Sequence, residues 1–128
     1  MLEMTPLHKN FLVACADDWS GPWLLAGDVR EADPSADDKT VKIRTLKIIR
    51  DLLSARYIRA GDLVDFKNDK FIPWDLTVDQ IIGRIRQEWD ALRRDPKPWE
   101  IVWFSSTLEG DRALAEGQER NVLKEPER

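Results

Sequence analysis

The sequence contains few of the residues that most often act in catalysis or bind metal ions. Its 128 residues include one cysteine, Cys15, and one histidine, His8. A disulfide within the chain and a zinc site with several Cys or His ligands are therefore excluded. The chain also lacks a glycine-rich phosphate loop and a Gly-x-Ser-x-Gly nucleophile motif. We expect a protein that is not an enzyme and holds no metal or cofactor, with His8 an exposed residue of the first helix that has no special role.

Long apolar runs are missing as well. No stretch approaches the ~18 apolar residues that cross a membrane, and the start of the chain, Met1-Leu-Glu-Met-Thr-Pro, does not resemble a signal peptide. We therefore expect a cytoplasmic protein without membrane contacts. The net charge of −4 argues against a surface built wholly for nucleic acid. The sequence leaves the oligomeric state open.

Capping and helix-breaking residues divide the chain into five predicted helices, which begin near Pro6, Pro22, Thr40, Val78 and Thr107. The second should bury Trp23, Leu24 and Val29. The third, residues 40–56, is the clearest, because six apolar side chains share one face: Val41, Leu46, Ile48, Ile49, Leu52 and Leu53. The fourth, residues 78–94, has a regular apolar stripe of Ile81, Ile82, Ile85, Trp89 and Leu92. We expect this stripe to pack against the third helix and a sheet.

Two predicted strands follow the third helix directly. Residues 57–65 form the first, a polar turn occupies residues 67–70, and residues 71–75 form the second. Pro73 has no N–H to donate, so the second strand should lie at a sheet edge or end there. A third strand at residues 100–105 should complete a small antiparallel sheet. The predicted fold is α+β, a single domain over residues 1–117 with about five helices, and a polar tail, residues 118–128, that is frayed or disordered.

Helix, strand, tight turn and strand is the order of a winged-helix domain. The run Trp103-Phe-Ser-Ser-Thr-Leu-Glu-Gly-Asp-Arg-Ala-Leu114 is similar to the strand and helix that follow the wing in bacterial winged-helix proteins. The run from Gly61-Asp-Leu to Phe71-Ile-Pro-Trp-Asp75, followed by an Ile-x-x-Ile-x-x-x-Trp helix, resembles small bacterial winged-helix-like proteins. Some of these are immunity proteins of contact-dependent or polymorphic toxin systems. The resemblance covers residues 40–115 and implies a protein that neutralises a cognate toxin by direct contact.

Two charged surfaces are candidates for binding. The first is an acidic and aromatic set, which would attract a basic toxin domain: Trp19, Trp23, Asp28, Glu31, Asp33, Asp37 and Asp38. The second would serve a DNA-binding winged-helix transcriptional regulator, the alternative function, by contacting phosphates: Lys42, Arg44, Lys47, Arg50, Arg59 and Lys67. Helix-capping aspartates and solvated helix faces produce the same two patterns, so each set also has an ordinary structural interpretation. The long fourth helix, inserted between the ribbon and the last strand, departs from ordinary repressors and disfavours simple DNA reading.

Six tryptophans are many for a chain of this length, and their positions separate them into two groups. Trp19, Trp23 and Trp99 lie beside helix breaks, so we expect them to be partly exposed and available to a partner. The remaining three should belong to the core: Trp74, Trp89 and Trp103.

Overall fold

Five helices surround a three-stranded antiparallel sheet in the residues that the structure describes, so the predicted α+β class is confirmed. The computed structural model describes residues 2–65 and 70–124, with side chains as far as Val64 and from Lys70 to Glu116. Along the chain the elements are α1 (Pro6–Asp17), α2 (Pro22–Ala32), α3 (Asp38–Ser54), β1 (Ile58–Asp65), β2 (Lys70–Pro73), α4 (Val78–Leu92), β3 (Trp103–Ser106) and α5 (Leu108–Lys124).

Side-chain caps determine where several helices begin. The Thr5 hydroxyl accepts the His8 N–H at the start of α1, and the Thr77 hydroxyl accepts the Gln80 N–H at the start of α4. The Asp37 carboxylate accepts the Thr40 N–H at 2.8 Å. Because Asp37 is this N-cap, α3 begins at Asp38 rather than at Thr40.

The apolar faces of α3 and α4 form much of the core. All six predicted apolar residues of α3 are buried, and so are Ile81, Ile82, Ile85 and Trp89 of α4, whereas Leu92 is half-buried. In α2 the buried side chains are Leu25, Ala26 and Val29, and the prediction that Leu24 is buried is wrong. Leu25 and Val29 point inward, and the helical period sets them about 100° and 140° around the helix from Leu24.

The sheet has the order β2-β1-β3, with β1 in the centre. Pro73 is the last residue of the edge strand β2, where its missing N–H leaves no ladder partner unsatisfied. The third predicted strand is present, since β3 pairs antiparallel with β1 and sets Phe104 opposite Ala60. The Phe104 ring is fully buried and meets Phe11 of α1 edge-on, with centroids 5.7 Å apart. Residues 67–69 of the predicted turn lie outside the described residues.

The last helix, α5, is longer than its sequence pattern indicates. It continues to Lys124 instead of ending near Gly117, so the backbone of the predicted polar tail is helical over residues 118–124. Residues 125–128 lie outside the described residues. At its start α5 approaches the end of α3 closely, because a Cβ added to Gly110 would lie only 2.2 Å from the Tyr57 carbonyl oxygen. No helix in the described ranges combines the length and the apolar character needed to cross a bilayer.

Candidate functional site

Each α3 cation that would contact DNA forms an ion pair with a carboxylate of this chain. Arg44 Nη1 lies 2.7 Å from Asp33 Oδ2, and Arg50 Nη1 lies 2.5 Å from Asp79 Oδ1. Two further pairs join Lys42 to Asp90, and Lys47 Nζ to Asp51 Oδ1 at 3.4 Å. Such exposed pairs add little to stability. A phosphate would nevertheless have to compete with these carboxylates for the same cations.

The described part of the β1–β2 ribbon adds one residue of the predicted DNA-binding set, Arg59. The Arg59 guanidinium lies over the Phe71 ring, 5.3 Å from its centroid, and so stacks across β1 and β2. Lys67 lies outside the described residues. Of the predicted DNA-binding set, the structure therefore brings together only the α3 members, and those are paired.

The acidic set is divided by the structure. Asp33 pairs with Arg44, Asp38 Oδ1 accepts from Arg30 Nη2 at 2.9 Å, and Asp37 caps α3. The Ser35 hydroxyl and then Arg44 lower the pKa of Asp33, and hydrogen bonding by Thr40 lowers the pKa of Asp37. These three carboxylates therefore have partners within the chain. The capping role of Asp37 agrees with the ordinary structural interpretation of this acidic set. The pairs of Asp33 and Asp38 instead connect the end of α2 to α3, and no local sequence pattern signals them.

Asp28 and Glu31 keep their charge available. Within the described part of the chain neither carboxylate forms an ion pair, and the pKa of Asp28 is raised, first by burial and then by repulsion from Glu31. One turn before Asp28, the Leu24 side chain is 37% exposed. A Cβ added to Gly27 would meet no atom within 4 Å. We call Leu24, Gly27, Asp28 and Glu31 the α2 face.

The two tryptophans of the predicted partner surface are both half-buried. The Trp23 ring meets Trp103 edge-on, with centroids 5.1 Å apart, and lies so close to Gly21 that an added Cβ would be 2.0 Å from it. Trp23 therefore links the start of α2 to the sheet and presents only part of its ring. The Trp19 backbone N–H donates to Asp18 Oδ1 at 2.8 Å.

Of the three predicted core tryptophans, only one is fully in the core. Trp89 is 2% exposed, which confirms its assignment. Trp74 and Trp103 are half-buried, so they belong to the core only in part. Arg84 of α4 lies over the outer side of the Trp74 ring, 3.8 Å from its centroid, and explains why Trp74 is not enclosed by apolar side chains alone.

Trp99 is the most exposed of the tryptophans, at 68%, as the sequence predicts for a residue beside a helix break. It lies in the connection between α4 and β3, residues 95–102, which we call the Trp99 loop. Trp99 and Ile101 have φ angles of 71° and 73°. The left-handed region is unfavourable for bulky side chains, especially β-branched ones, and each such residue costs on the order of 1–3 kcal/mol. The loop conformation therefore has to be maintained by other contacts.

Glu100 supplies these contacts. Its carboxylate accepts from Arg94 Nη1 at 2.7 Å, from Arg94 Nη2 at 2.9 Å, and from the Lys97 N–H at 2.5 Å. Arg94, and then the Lys97 N–H, lower the pKa of Glu100 to about 2. The bidentate pair and the backbone bond together close the loop on itself, with the Trp99 side chain left outside.

The Trp99 loop is attached to α2 at both ends. At its start, Arg30 donates to Asp95 from Nε at 2.6 Å and from Nη2 at 3.1 Å. Just beyond its end, Trp103 packs against Trp23. Both ends of the segment from Asp95 to Trp103 are therefore held against α2, on the side of the helix that adjoins the α2 face. No sequence pattern signals this, because the contacts join residues about 65 to 80 positions apart.

His8 is not the exposed residue that the sequence predicts. It is 6% exposed; its Nδ1 accepts the Thr5 N–H at 3.1 Å, and its Nε2 lies 3.0 Å from Asp51 Oδ2. Because Nδ1 accepts, Nε2 is the ring nitrogen that can donate to Asp51. His8 therefore connects α1 to α3, which explains its burial.

A charged cleft of about 470 Å³ lies between α2, α3 and the end of α4, lined by Arg30, Asp38, Lys42, Trp89, Arg93, Arg94 and Asp95. Its cations are largely matched by carboxylates, because Arg30 pairs with Asp38 and Asp95, Lys42 with Asp90, and Arg94 with Glu100. The cleft therefore offers little net charge to a ligand.

Over the described ranges, no three His, Cys, Asp or Glu side chains are grouped closely enough to hold a metal ion. No protein-family model, curated protein or solved structure matches this chain. Its function is therefore inferred from its own residues.

Proposed function

We propose that the protein is a non-catalytic protein-binding module, an immunity protein that neutralises a cognate antibacterial toxin by direct contact through the α2 face. One observation carries the proposal. Asp28 and Glu31 have no cation partner in the described part of the chain, whereas every α3 cation of the DNA-binding set has a carboxylate partner. Among the helix residues of the two predicted binding sets, the charges without an ion-pair partner in the described residues are therefore these two carboxylates of α2.

A basic partner would complement this surface. Burial and the repulsion between Asp28 and Glu31 make the ionised state of Asp28 less favourable in the free protein. A cationic group of a partner would reduce that repulsion. It would also speed association, since opposite charges attract over roughly the Debye length of about 8–10 Å. The exposed Leu24 side chain adds apolar area beside the carboxylates.

The alternative function, a DNA-binding regulator, has weaker support. Phosphates are contacted by Lys and Arg side chains, and a phosphate would have to displace the carboxylates that the α3 cations already have as partners within the chain. The only described member of that set without a carboxylate partner is Arg59, which stacks on Phe71.

Co-expression tests the proposal. The protein would be produced with the toxin domain encoded beside its gene, and cell survival and recovery of a complex would be scored. We expect the intact protein to protect cells and to be recovered with the toxin, and the Asp28→Asn, Glu31→Gln variant to protect less well. A matched control, Asp75→Asn with Glu109→Gln, removes the same charge from exposed positions elsewhere. Death of cells that contain the intact protein, with no complex recovered, would rule the proposal out.

A further inference from the structure

The Trp99 loop is longer than its attachments to α2 require. Trp23 and Arg30 are seven residues apart on a helix, a separation of about 10 Å along its axis. The segment that connects their partners, Asp95 to Trp103, spans eight residues and could extend about 26 Å. The segment is therefore long enough to fold outward from α2 between its two attachments. Trp99 lies at the middle of the segment and is 68% exposed.

The surface of α2 beside this bulge has a gap. Trp23, Gly27 and Arg30 lie on one side of the helix, at positions i, i+4 and i+7. Trp23 and Arg30 both contact the Asp95–Trp103 segment, but no atom of the described residues lies within 4 Å of the site that a Gly27 Cβ would occupy. A glycine inside a helix disfavours that helix relative to alanine. Because the fold leaves this space open, packing within the chain does not explain the glycine.

We infer that Trp99 is the aromatic anchor of the toxin interface and that Gly27 provides a notch for the partner's chain; this rests on the proposed function. The occupant is a basic toxin domain with an apolar pocket for Trp99. Its charge follows from Asp28 and Glu31 beside the notch, which have no ion-pair partner among the described side chains. Glu100 acts as a positioning residue, because its bonds to Arg94 and the Lys97 N–H hold the loop with the indole outside before the partner arrives. A side chain that is already in place loses less entropy on binding, which increases affinity.

The off-rate of the complex tests the anchor. With the adjacent toxin domain immobilised, Trp99→Ala should shorten the lifetime of the complex at least about tenfold, as expected for a buried aromatic anchor, with little change in the association rate. The control is Leu108→Ala, which removes a 74% exposed apolar side chain at the start of α5 and should leave the lifetime unchanged. Equal lifetimes for Trp99→Ala and the intact protein would overturn the inference.

A pair of glycine substitutions tests the notch. Gly27→Ala and Gly83→Ala both add a methyl group inside a helix where nothing lies within 4 Å. Both should therefore fold normally, but only Gly27→Ala should weaken toxin binding. Equal binding by the two variants would exclude the notch.

Two measurements separate the inference from the proposed function. If the intact protein forms no complex with the toxin domain, the proposed function fails. If a complex forms but Trp99→Ala does not shorten its lifetime, only the inference fails.

Fluorescence provides a second readout: complex formation should shift the tryptophan emission of the intact protein to shorter wavelength, and Trp99→Phe should reduce that shift. A shift that Trp99→Phe leaves intact would contradict burial of Trp99. Glu100→Gln keeps the Trp99 indole but weakens the contacts of Glu100 with Arg94 and the Lys97 N–H that hold the loop. It should lower the affinity for the toxin domain less than Trp99→Ala does.

Discussion

At the scale of single residues, long-range partners decide what sequence patterns leave open. His8 has the Thr5 cap as a local partner, and that part of its environment follows from the start of the helix. Its burial depends on Asp51, which lies 43 residues further along the chain. The exposure of Trp99, by contrast, follows from adjacent proline residues and a helix break, and was predictable. Contacts between near neighbours in the sequence can be predicted from it, whereas a pairing between side chains of two helices cannot.

His8→Ala should destabilise the protein by about 1–3 kcal/mol, because it removes a buried ring and takes away the hydrogen-bond partner of the Thr5 N–H and of Asp51 Oδ2. Urea denaturation at neutral pH measures the change. The neighbouring exposed residue provides the control, since Lys9→Ala should have almost no effect. A His8→Ala variant as stable as Lys9→Ala would contradict the connection between α1 and α3.

Asp28→Asn should make the protein slightly more stable at pH 7 while weakening its binding to the toxin domain. The pKa of Asp28 is raised in the folded state, so its ionised form is less favourable there than in the unfolded chain. The cost is fully present above the folded-state pKa and disappears as the pH falls below the ordinary value of 3.8, where both states are protonated. The gain should stay below about 1 kcal/mol, since water screens a partly exposed group. Urea unfolding at pH 7 and pH 3 checks this, and a loss of stability at pH 7 would contradict it.

At the scale of elements, period and capping predicted most of the fold. The stripes of α3 and α4 identified the buried faces, and Thr5 and Thr77 marked two helix starts. The predictions were wrong where the apolar pattern was ambiguous or where the end of a helix had no clear sequence signal. Leu24 and Leu25 are adjacent, and only packing shows which one points inward. The polar sequence beyond Gly117 gave no apolar period, yet α5 continues to Lys124.

Trp89→Ala should cost roughly 3–5 kcal/mol, because the indole is fully enclosed where α4 packs on α3. The most direct control is the same substitution at an exposed position, Trp99→Ala, which should change stability little. Thermal melts of both variants make the comparison. If the two melts coincide, the α4 stripe does not have the structural role that we assign to it.

At the scale of the whole molecule, ion pairs between elements distribute the surface charge. Composition shows that 20 basic and 24 acidic residues coexist. It does not show that Asp33, Asp79 and Asp90 pair with cations of α3, or that Asp28 and Glu31 have no ion-pair partner in the described residues. Both predicted surfaces could be listed from the sequence, but the availability of each depends on which charges meet in three dimensions.

This pairing predicts that the protein forms no sequence-specific DNA complex. Anisotropy titrations of labelled duplexes at low salt provide the measurement. Asp79→Asn with Asp90→Asn should release Arg50 and Lys42 and produce weak binding that falls steeply with salt. The charge-matched control, Asp75→Asn with Glu109→Gln, should bind less than that variant. A nanomolar, sequence-specific complex of the intact protein would show that the DNA-binding alternative is the better one.

The central claim is that the free carboxylates of α2 attract a basic toxin domain, and the salt dependence of the association rate tests it most directly. Rates for the toxin domain encoded beside the gene would be measured from low to high ionic strength with the intact protein and with the Asp28→Asn, Glu31→Gln variant. The account predicts that association with the intact protein slows steeply as salt increases, and that the variant associates more slowly and with a flatter salt dependence. Identical rates and slopes for the two proteins would contradict it.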